Sequence, residues 1–161
     1  MRELHGLYYR RVARFLARIT RRHELVAEII NDTFMVVWEK AREFRGEARV
    51  STWILGIAYR RGLSAVERES RARRDMLAAW SGEDGLTDGV TEEADVTDSL
   101  RHALAQLPFE QRAALELAYY IGLSCEEIAT AMQCPINTVK TRMLYARRKL
   151  RIALQGRAFP V

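Results

Sequence analysis

The sequence is poor in the residues from which catalytic and metal sites are usually built. It contains only two cysteines, Cys125 and Cys134, and three scattered histidines, His5, His23 and His102. Two cysteines are too few for a disulfide scaffold, and a zinc site would need a second pair. We interpret the cysteines as buried, reduced thiols and the histidines as solvated surface groups. No nucleophile–base pair and no Gly-rich phosphate loop occurs in the sequence, so we expect no catalytic residues, no metal and no cofactor.

Long apolar runs are also missing. None approaches the roughly 20 residues of a membrane-spanning helix, and the first residues lack the apolar block of an export signal. We therefore expect a cytoplasmic protein with no membrane insertion. Hydrophobic residues still make up 48% of the chain, enough to bury the core of one compact domain or of two small ones. No alternation typical of β-strands occurs, which predicts an all-α fold.

Basic residues are absent from the middle of the chain. Residues 75–99 carry eight acidic side chains and no Lys or Arg, although the whole chain has a net charge of +5. The flanking segments therefore hold a basic excess, which is typical of proteins that bind nucleic acid. The acidic segment has no sustained period, so we predict a flexible linker with a short helix near residues 76–80.

Two amphipathic helices are predicted at the start of the chain. Over residues 3–20, apolar side chains recur at steps of three and four, at Leu4, Tyr8, Val12, Phe15 and Ile19. Over residues 24–44, a similar apolar stripe that includes Phe34 and Val37 stands opposite an acidic face, made of Glu24, Glu28, Asp32 and Glu39. The second helix therefore has one face to bury and another to expose.

A loop and a third helix complete the predicted first domain, over residues 1–74. Gly46 and small polar residues interrupt the helical period over residues 45–52, and Ser51 or Thr52 would cap the helix that follows. That helix begins near Trp53 and runs on through a basic tail. The apolar neighbours of Trp53 favour a core position, and stacking on nucleic acid is the alternative.

A helix-turn-helix is predicted between Ser124 and Arg151, inside a second domain over residues 100–161. Ser124 and Glu127 have the spacing of a capping box, in which each side chain bonds the backbone of the other. Gln133 stands at the turn, where a positive φ favours glycine. Ala129 is predicted to lie where the two helices cross, and Val139 to fill the space between them.

The second helix of this motif carries a strong positive charge. Seven basic residues and no acid lie between Lys140 and Arg157. A solvated charged face is one explanation, but the recognition helix of a helix-turn-helix enters the major groove of DNA while its neighbours hold phosphates. We predict that the DNA-binding residues here are Asn137, Thr138, Lys140, Thr141, Arg142, Tyr145, Arg147 and Arg148.

Several motifs resemble those of the extracytoplasmic-function (ECF, group 4) sigma factors of the sigma-70 family. Residues 107–112 (LPFEQR), 122–129 (GLSCEEIA) and 137–142 (NTVKTR) resemble the sigma-4 domain, whereas residues 28–38 (EIINDTFMVVW) and 51–58 (STWILGIA) resemble the sigma-2 domain. The resemblance implies two small helical domains joined by the acidic linker. It also implies binding to core RNA polymerase, through the β′ clamp helices and the β flap, to duplex and melted promoter DNA, and to an anti-sigma factor.

The resemblance further assigns roles to individual residues. It implies that the sigma-4 domain reads the −35 element and that the second helix docks on polymerase through Glu28, Asp32, Thr33 and Trp38. It implies that the loop and the third helix capture and hold the −10 element, and the candidate residues are Arg45, Gly46, Ala48, Arg49, Ser51, Thr52, Tyr59, Arg60 and Arg61. Small residues in the loop allow close backbone approach, and its arginines suit phosphates. Tyr59, Arg60 and Ser64 depart from the family pattern, so the −10 base preference does not carry over.

Without the family resemblance, the sequence patterns also allow a different function. A conventional helix-turn-helix regulator would use residues 1–74 for dimerisation or for sensing a signal, and it would act without core polymerase. Such a regulator would bind a specific duplex tightly by itself.

Overall fold

The computed structural model describes residues 2–79 and 96–155, and every regular element in these ranges is helical. The all-α expectation is therefore confirmed. A 3₁₀ turn, Ala41–Glu43, follows the second helix, and one π-helical turn, Glu116–Tyr120, follows the fifth. The seven α-helices are α1 (Arg2–Ile19), α2 (His23–Lys40), α3 (Val50–Ala79), α4 (Val96–Ala105), α5 (Phe109–Leu115), α6 (Cys125–Met132) and α7 (Ile136–Gln155). None of these helices is both long and apolar enough to cross a lipid bilayer.

The N-terminal half of the structure is a bundle of α1, α2 and α3. The predicted stripe of α1 is buried at Val12, Phe15 and Ile19, and α2 contributes Phe34 and Val37 to the same core. Both predicted core residues of α2 are therefore confirmed. Each such side chain stabilises the fold by about 1.5–3 kcal/mol relative to an exposed position.

The third helix is longer than the sequence predicts. It begins at Val50, with the amide of Trp53 donating to the carbonyl of Arg49 over 3.0 Å. Ser51 and Thr52 therefore lie within the first turn and do not cap it. At its other end α3 continues to Ala79, because residues 76–79 (MLAA) are strong helix formers that extend the basic tail without a break.

The expected short helix near residues 76–80 is thus the end of α3. Of the predicted linker, residues 75–79 and 96–99 are helical, and residues 80–95 lie outside the described part of the chain.

The C-terminal half packs α4 to α7 around a second group of buried apolar residues. Pro108 is the N-cap of α5, where its fixed φ suits a helix start. Leu117 of the π turn, Ile128 of α6 and Val139 of α7 are all fully buried. The two groups of buried residues are continuous, so the two halves share one core.

The contact between the halves is closest where α3 crosses α6. A Cβ added at Gly56 would lie 2.9 Å from the carbonyl oxygen of Ala131. The guanidinium of Arg60 donates to that same oxygen over 3.1 Å. One turn along α3, the rings of Tyr59 and Phe109 stack with centroids 5.8 Å apart. Only glycine permits this approach of the two backbones.

An ion pair makes a second contact between the halves. Nε of Arg18, near the end of α1, donates to Glu116 of the π turn over 2.5 Å. Arg18 also lies over the ring of Tyr120, 4.3 Å from its centroid. The Glu116 side chain is almost completely buried, so Arg18 supplies the compensating partner that a buried carboxylate requires.

Two alanine substitutions test the packing of α3 on α6. Gly56→Ala should lower the free energy of unfolding by about 1–3 kcal/mol, because the new methyl group meets backbone that cannot move aside. Gly6→Ala on α1 is the matched control, since nothing lies within 4 Å of its Cβ position. It should raise stability by about 0.5–1 kcal/mol through helix propensity alone. Urea unfolding of both variants is the measurement, and an equal gain in both would show that α3 and α6 do not touch in solution.

Candidate nucleic-acid interface

The helix-turn-helix forms with the local geometry that its sequence predicts. The amide of Glu127 donates to Oγ of Ser124 over 3.2 Å, and the amide of Ser124 donates to Oε2 of Glu127 over 2.9 Å. This completes the capping box of α6. Gln133 ends α6 in the left-handed region, with φ 51° and ψ 49°, so the positive φ expected at the turn is present without a glycine.

The packing inside the motif differs from the prediction at one position. Val139 is fully buried between α6 and α7, as expected, but Ala129 is only half-buried. The closest approach involves Ala131 instead, whose backbone lies against Gly56 of α3. Local spacing could not identify Ala131, because the helix against which it packs is about 75 residues away in the sequence.

The predicted DNA-binding residues of α7 lie away from the buried face. That face consists of Val139, Met143 and Ala146. Thr138 and Arg142 are half-exposed, and the others are exposed: Asn137, Lys140, Thr141, Tyr145, Arg147 and Arg148. The helix therefore presents one basic, hydroxyl-bearing surface.

Contacts to the protein orient some of these side chains. The hydroxyl of Thr141 donates to the carbonyl of Asn137 over 2.8 Å. Nε of Arg147 donates to the carbonyl of Met143 over 3.3 Å, and its Nη1 donates to the Tyr119 hydroxyl over 3.5 Å. Arg147 is thus held along the helix before any ligand arrives.

Arg142 is directed towards the rest of the protein. Its guanidinium lies 3.6 Å from Sγ of Cys134 and next to the hydroxyl of Tyr59. Burial raises the pKa of Tyr59 to about 12, and the nearby positive charge of Arg142 only partly offsets this effect. Both cysteines are half-buried and free, so the expectation of fully buried thiols is only partly met.

A cavity of about 640 Å³ lies between the loop after α2, the first turns of α3 and the end of α6. Its lining includes five residues that the sequence assigns to the −10 site, namely Arg45, Ala48, Thr52, Arg60 and Arg61. Gly46 turns the loop with a φ of +74°. Thr52 is fully buried, and its hydroxyl has no hydrogen-bond partner among the described residues.

The remaining members of that predicted set lie elsewhere. Tyr59 is 2% exposed and packs on Phe109, so it is not accessible to a DNA strand in this arrangement. Arg49 is largely exposed and lies 3.8 Å from the carboxylate of Glu127. Ser51 is half-buried in the first turn of α3.

Sequence reasoning missed two kinds of cavity residue. Trp53, which we interpret from the sequence as a core residue, packs against the core but is only half-buried, and it also lines the cavity together with Phe44. The two rings are tilted by 39°, with centroids 4.9 Å apart. Both residues are aromatic, and they stand on either side of the loop in the sequence. This pattern could have indicated that they line a site at the loop. Thr130 and Gln133 of α6 also line the cavity, and no local signal points to them.

The acidic face of α2 is exposed as predicted, at Glu24, Glu28, Asp32 and Glu39. Trp38 is 64% exposed and Met35 is 58% exposed, so apolar groups accompany the acids. The carboxylate of Glu28 accepts a hydrogen bond from Arg68 of α3 over 2.7 Å.

Thr33 does not belong to this face. It is fully buried, and its hydroxyl donates to the carbonyl of Ile29 over 2.6 Å. Ile29 and Val37 stand four residues before and after it, so all three lie on the same side of α2. This spacing could have placed Thr33 inside, and the assignment of Thr33 to a docking surface is corrected accordingly.

Comparisons with known proteins agree with this arrangement. The Sigma-70 region 2 family matches residues 4–72, and the Sigma-70, region 4 family matches residues 97–150. The chain is 30% identical over 149 residues to the ECF RNA polymerase sigma factor SigK of Mycobacterium tuberculosis, covering 89% of this chain and 80% of that protein. It is 26% identical over 159 residues to the RNA polymerase sigma-H factor of Pseudomonas aeruginosa, covering 92% and 82% of the two chains.

Solved structures share the fold. The sigma factor RpoE of Bartonella quintana, in complex with the anti-sigma factor NepR, superposes with a TM-score of 0.75 at 23% identity, over 96% of both chains. CnrH, in complex with the cytosolic domain of CnrY, superposes with a TM-score of 0.67 at 20% identity, over 97% of this chain and 88% of that one. The two region matches and the similarity to SigK together show that the chain belongs to the extracytoplasmic-function family of RNA polymerase sigma factors.

Proposed function

We propose that this sigma factor uses α2 to bind core RNA polymerase, α7 to read the −35 element and the cavity at the loop to hold a base of the melted −10 element. The main support is that both sigma regions occur in one chain, each with an exposed surface of suitable chemistry. A sigma factor acts by binding, and these surfaces are built for binding.

The −35 proposal rests on the exposed face of α7. Lys140 and Arg148 supply positive charge for phosphates, and Asn137 at the start of the helix is suited to a base edge in the major groove. Thr138 and Thr141 flank Asn137 and Lys140 with hydroxyl groups that suit either bases or phosphates. Every member of the predicted set keeps at least part of its surface accessible.

The −10 proposal rests on the cavity. A flipped base requires a pocket with an aromatic or apolar wall for stacking and with cations for the adjacent phosphates. Trp53 and Phe44 supply the wall, and Arg45 and Arg61 supply the exposed charge. The end of α6 forms another wall of this cavity. A single DNA strand that runs along the surface of α3 would therefore displace α6 from its present position.

The docking proposal rests on α2. Asp32 and Glu24 carry exposed charge, and Trp38 adds an exposed aromatic side chain of the kind that dominates binding energy at protein interfaces. Acidic groups around an apolar centre would meet a basic rim on the partner. We assign this face to the β′ clamp helices, and the C-terminal half to the β flap.

We further propose an anti-sigma factor as a regulatory partner and the cytoplasm as the site of action. RpoE and CnrH, whose folds resemble this one, are each recorded with a bound partner, NepR and the cytosolic domain of CnrY. The cytoplasm follows from the location of bacterial core polymerase. A conventional regulator that acts without polymerase is not favoured, because both sigma regions are matched.

Removal of a phosphate contact tests the role of α7. Run-off transcription with core polymerase across a promoter library identifies the −35 element, and a duplex of that sequence is titrated with the full chain at several salt concentrations. Lys140→Ala should reduce the slope of log K against log salt by about one, because one fewer counterion is released.

Lys149→Ala is the matched control, since Lys149 is equally charged and exposed but lies about half a turn away around α7. It should leave the slope unchanged. Equal slopes for wild type and Lys140→Ala would remove Lys140 from the interface.

Truncation of Trp38 tests the docking face. Trp38→Ala should weaken binding to core polymerase by more than about tenfold, the effect of losing an aromatic anchor, while the free energy of unfolding stays nearly constant because the side chain is 64% exposed. Met76→Ala, at a residue 67% exposed on α3, is the control and should bind normally. Fluorescence titration of labelled polymerase measures both, and wild-type affinity in Trp38→Ala would move the docking site away from α2.

A further inference from the structure

A second cavity, of about 770 Å³, opens between the end of α1 and the helices α4 and α5. Both halves of the protein contribute to it. Its ionisable lining is mostly basic and consists of Arg18, Arg21, His23, Arg101, His102 and Arg112. The carboxylate in this lining belongs to Glu116, which is already engaged by Arg18 at 2.5 Å. The cavity therefore has a surplus of positive charge.

Two polar atoms of residues that line this cavity have no hydrogen-bond partner within the described ranges. Arg112 is 9% exposed, and its Nε makes no hydrogen bond there. Thr20 is 2% exposed, and its Oγ1 also lacks a partner. A buried donor that stays unsatisfied costs free energy, more so when it is charged. Both groups are therefore prepared to bond a ligand that enters the cavity.

The same groups lie at a junction with a smaller cavity. This space of about 230 Å³ is also lined by Thr20, Arg21 and Arg112. Burial lowers the pKa of Arg112, and the neighbouring charges of Arg21 and Arg18 lower it further, against the opposing effect of Glu116. The positive charges of α1, of the turn that follows it and of α5 thus converge where the unpartnered hydroxyl lies.

The ligand that suits this chemistry is a small phosphate. Guanidinium groups bind phosphate oxygens with two parallel hydrogen bonds, and a hydroxyl can donate a third. Arg112 is too deeply buried for the backbone of a DNA duplex to reach it. We propose that this cleft binds a small phosphate compound of the inorganic phosphate or pyrophosphate class, held by Arg21, Arg112 and Thr20.

A bound phosphate would also act on the fold. It would bridge the turn between α1 and α2 in the N-terminal half and α5 of the C-terminal half, and a ligand that binds only the assembled cleft stabilises the assembled state. The proposal does not depend on promoter recognition, because its groups lie outside both candidate DNA-binding sites.

Calorimetric titration of the full chain with pyrophosphate at fixed ionic strength tests the site. One saturable site is expected. Arg21→Ala should weaken it about tenfold, the effect of losing one charge-assisted hydrogen bond. Arg14→Ala is the control, because Arg14 is an exposed arginine of α1 that does not line the cleft. It should bind pyrophosphate as the wild type does.

Thr20→Val separates binding from folding. Valine has nearly the shape of threonine and removes a buried hydroxyl that has no partner, so without ligand the Tm should stay the same or rise. Pyrophosphate affinity should nevertheless fall. Absence of saturable binding, equal losses in Arg14→Ala and Arg21→Ala, unchanged affinity in Thr20→Val, or binding by duplex DNA alone would each overturn the proposal.

Discussion

The close approach of α3 and α6 at Gly56 is the constraint on which the arrangement of the two halves depends. A side chain at this position would separate the helices by pushing against the carbonyl of Ala131. The hydrogen bond from Arg60 to that carbonyl and the stacking of Tyr59 on Phe109 both exist only at this separation. Two bundles that would each bury little apolar surface alone thereby share one continuous core.

This packing engages side chains that belong to the proposed promoter-binding sites. Arg60 bonds α6, Arg49 lies near Glu127, and Arg142 of α7 lies beside Tyr59 of α3. Within the proposed function, internal contacts therefore compete with DNA contacts for the same side chains. If these residues bind the promoter as proposed, the arrangement described here and a promoter-bound arrangement are alternatives, and the interface between the halves affects the balance between them.

Local features were predicted well from the sequence, and long-range features were not. The capping box at Ser124, the left-handed Gln133 and the buried Val139 depend on neighbours within a few residues, and all three are confirmed. The burial of Tyr59 and the tight position of Ala131 depend on helices far away in the chain, about which periodicity carries no information. Thr33 was misplaced for another reason, since the family resemblance assigned it to the docking face although its spacing from Ile29 and Val37 indicates burial.

The π-helical turn Glu116–Tyr120 sets the direction in which α6 and α7 continue, through the number of residues it contains and not through its side chains. A π turn holds one residue more than the α-helical turn that it replaces. Each residue of an α-helix rotates the chain by about 100°, so a chain one residue shorter here would turn α6 and α7 to face a different direction. Glu116 would then leave Arg18, and Ala131 would no longer meet Gly56. Insertions and deletions at this point are therefore far more disruptive than most substitutions.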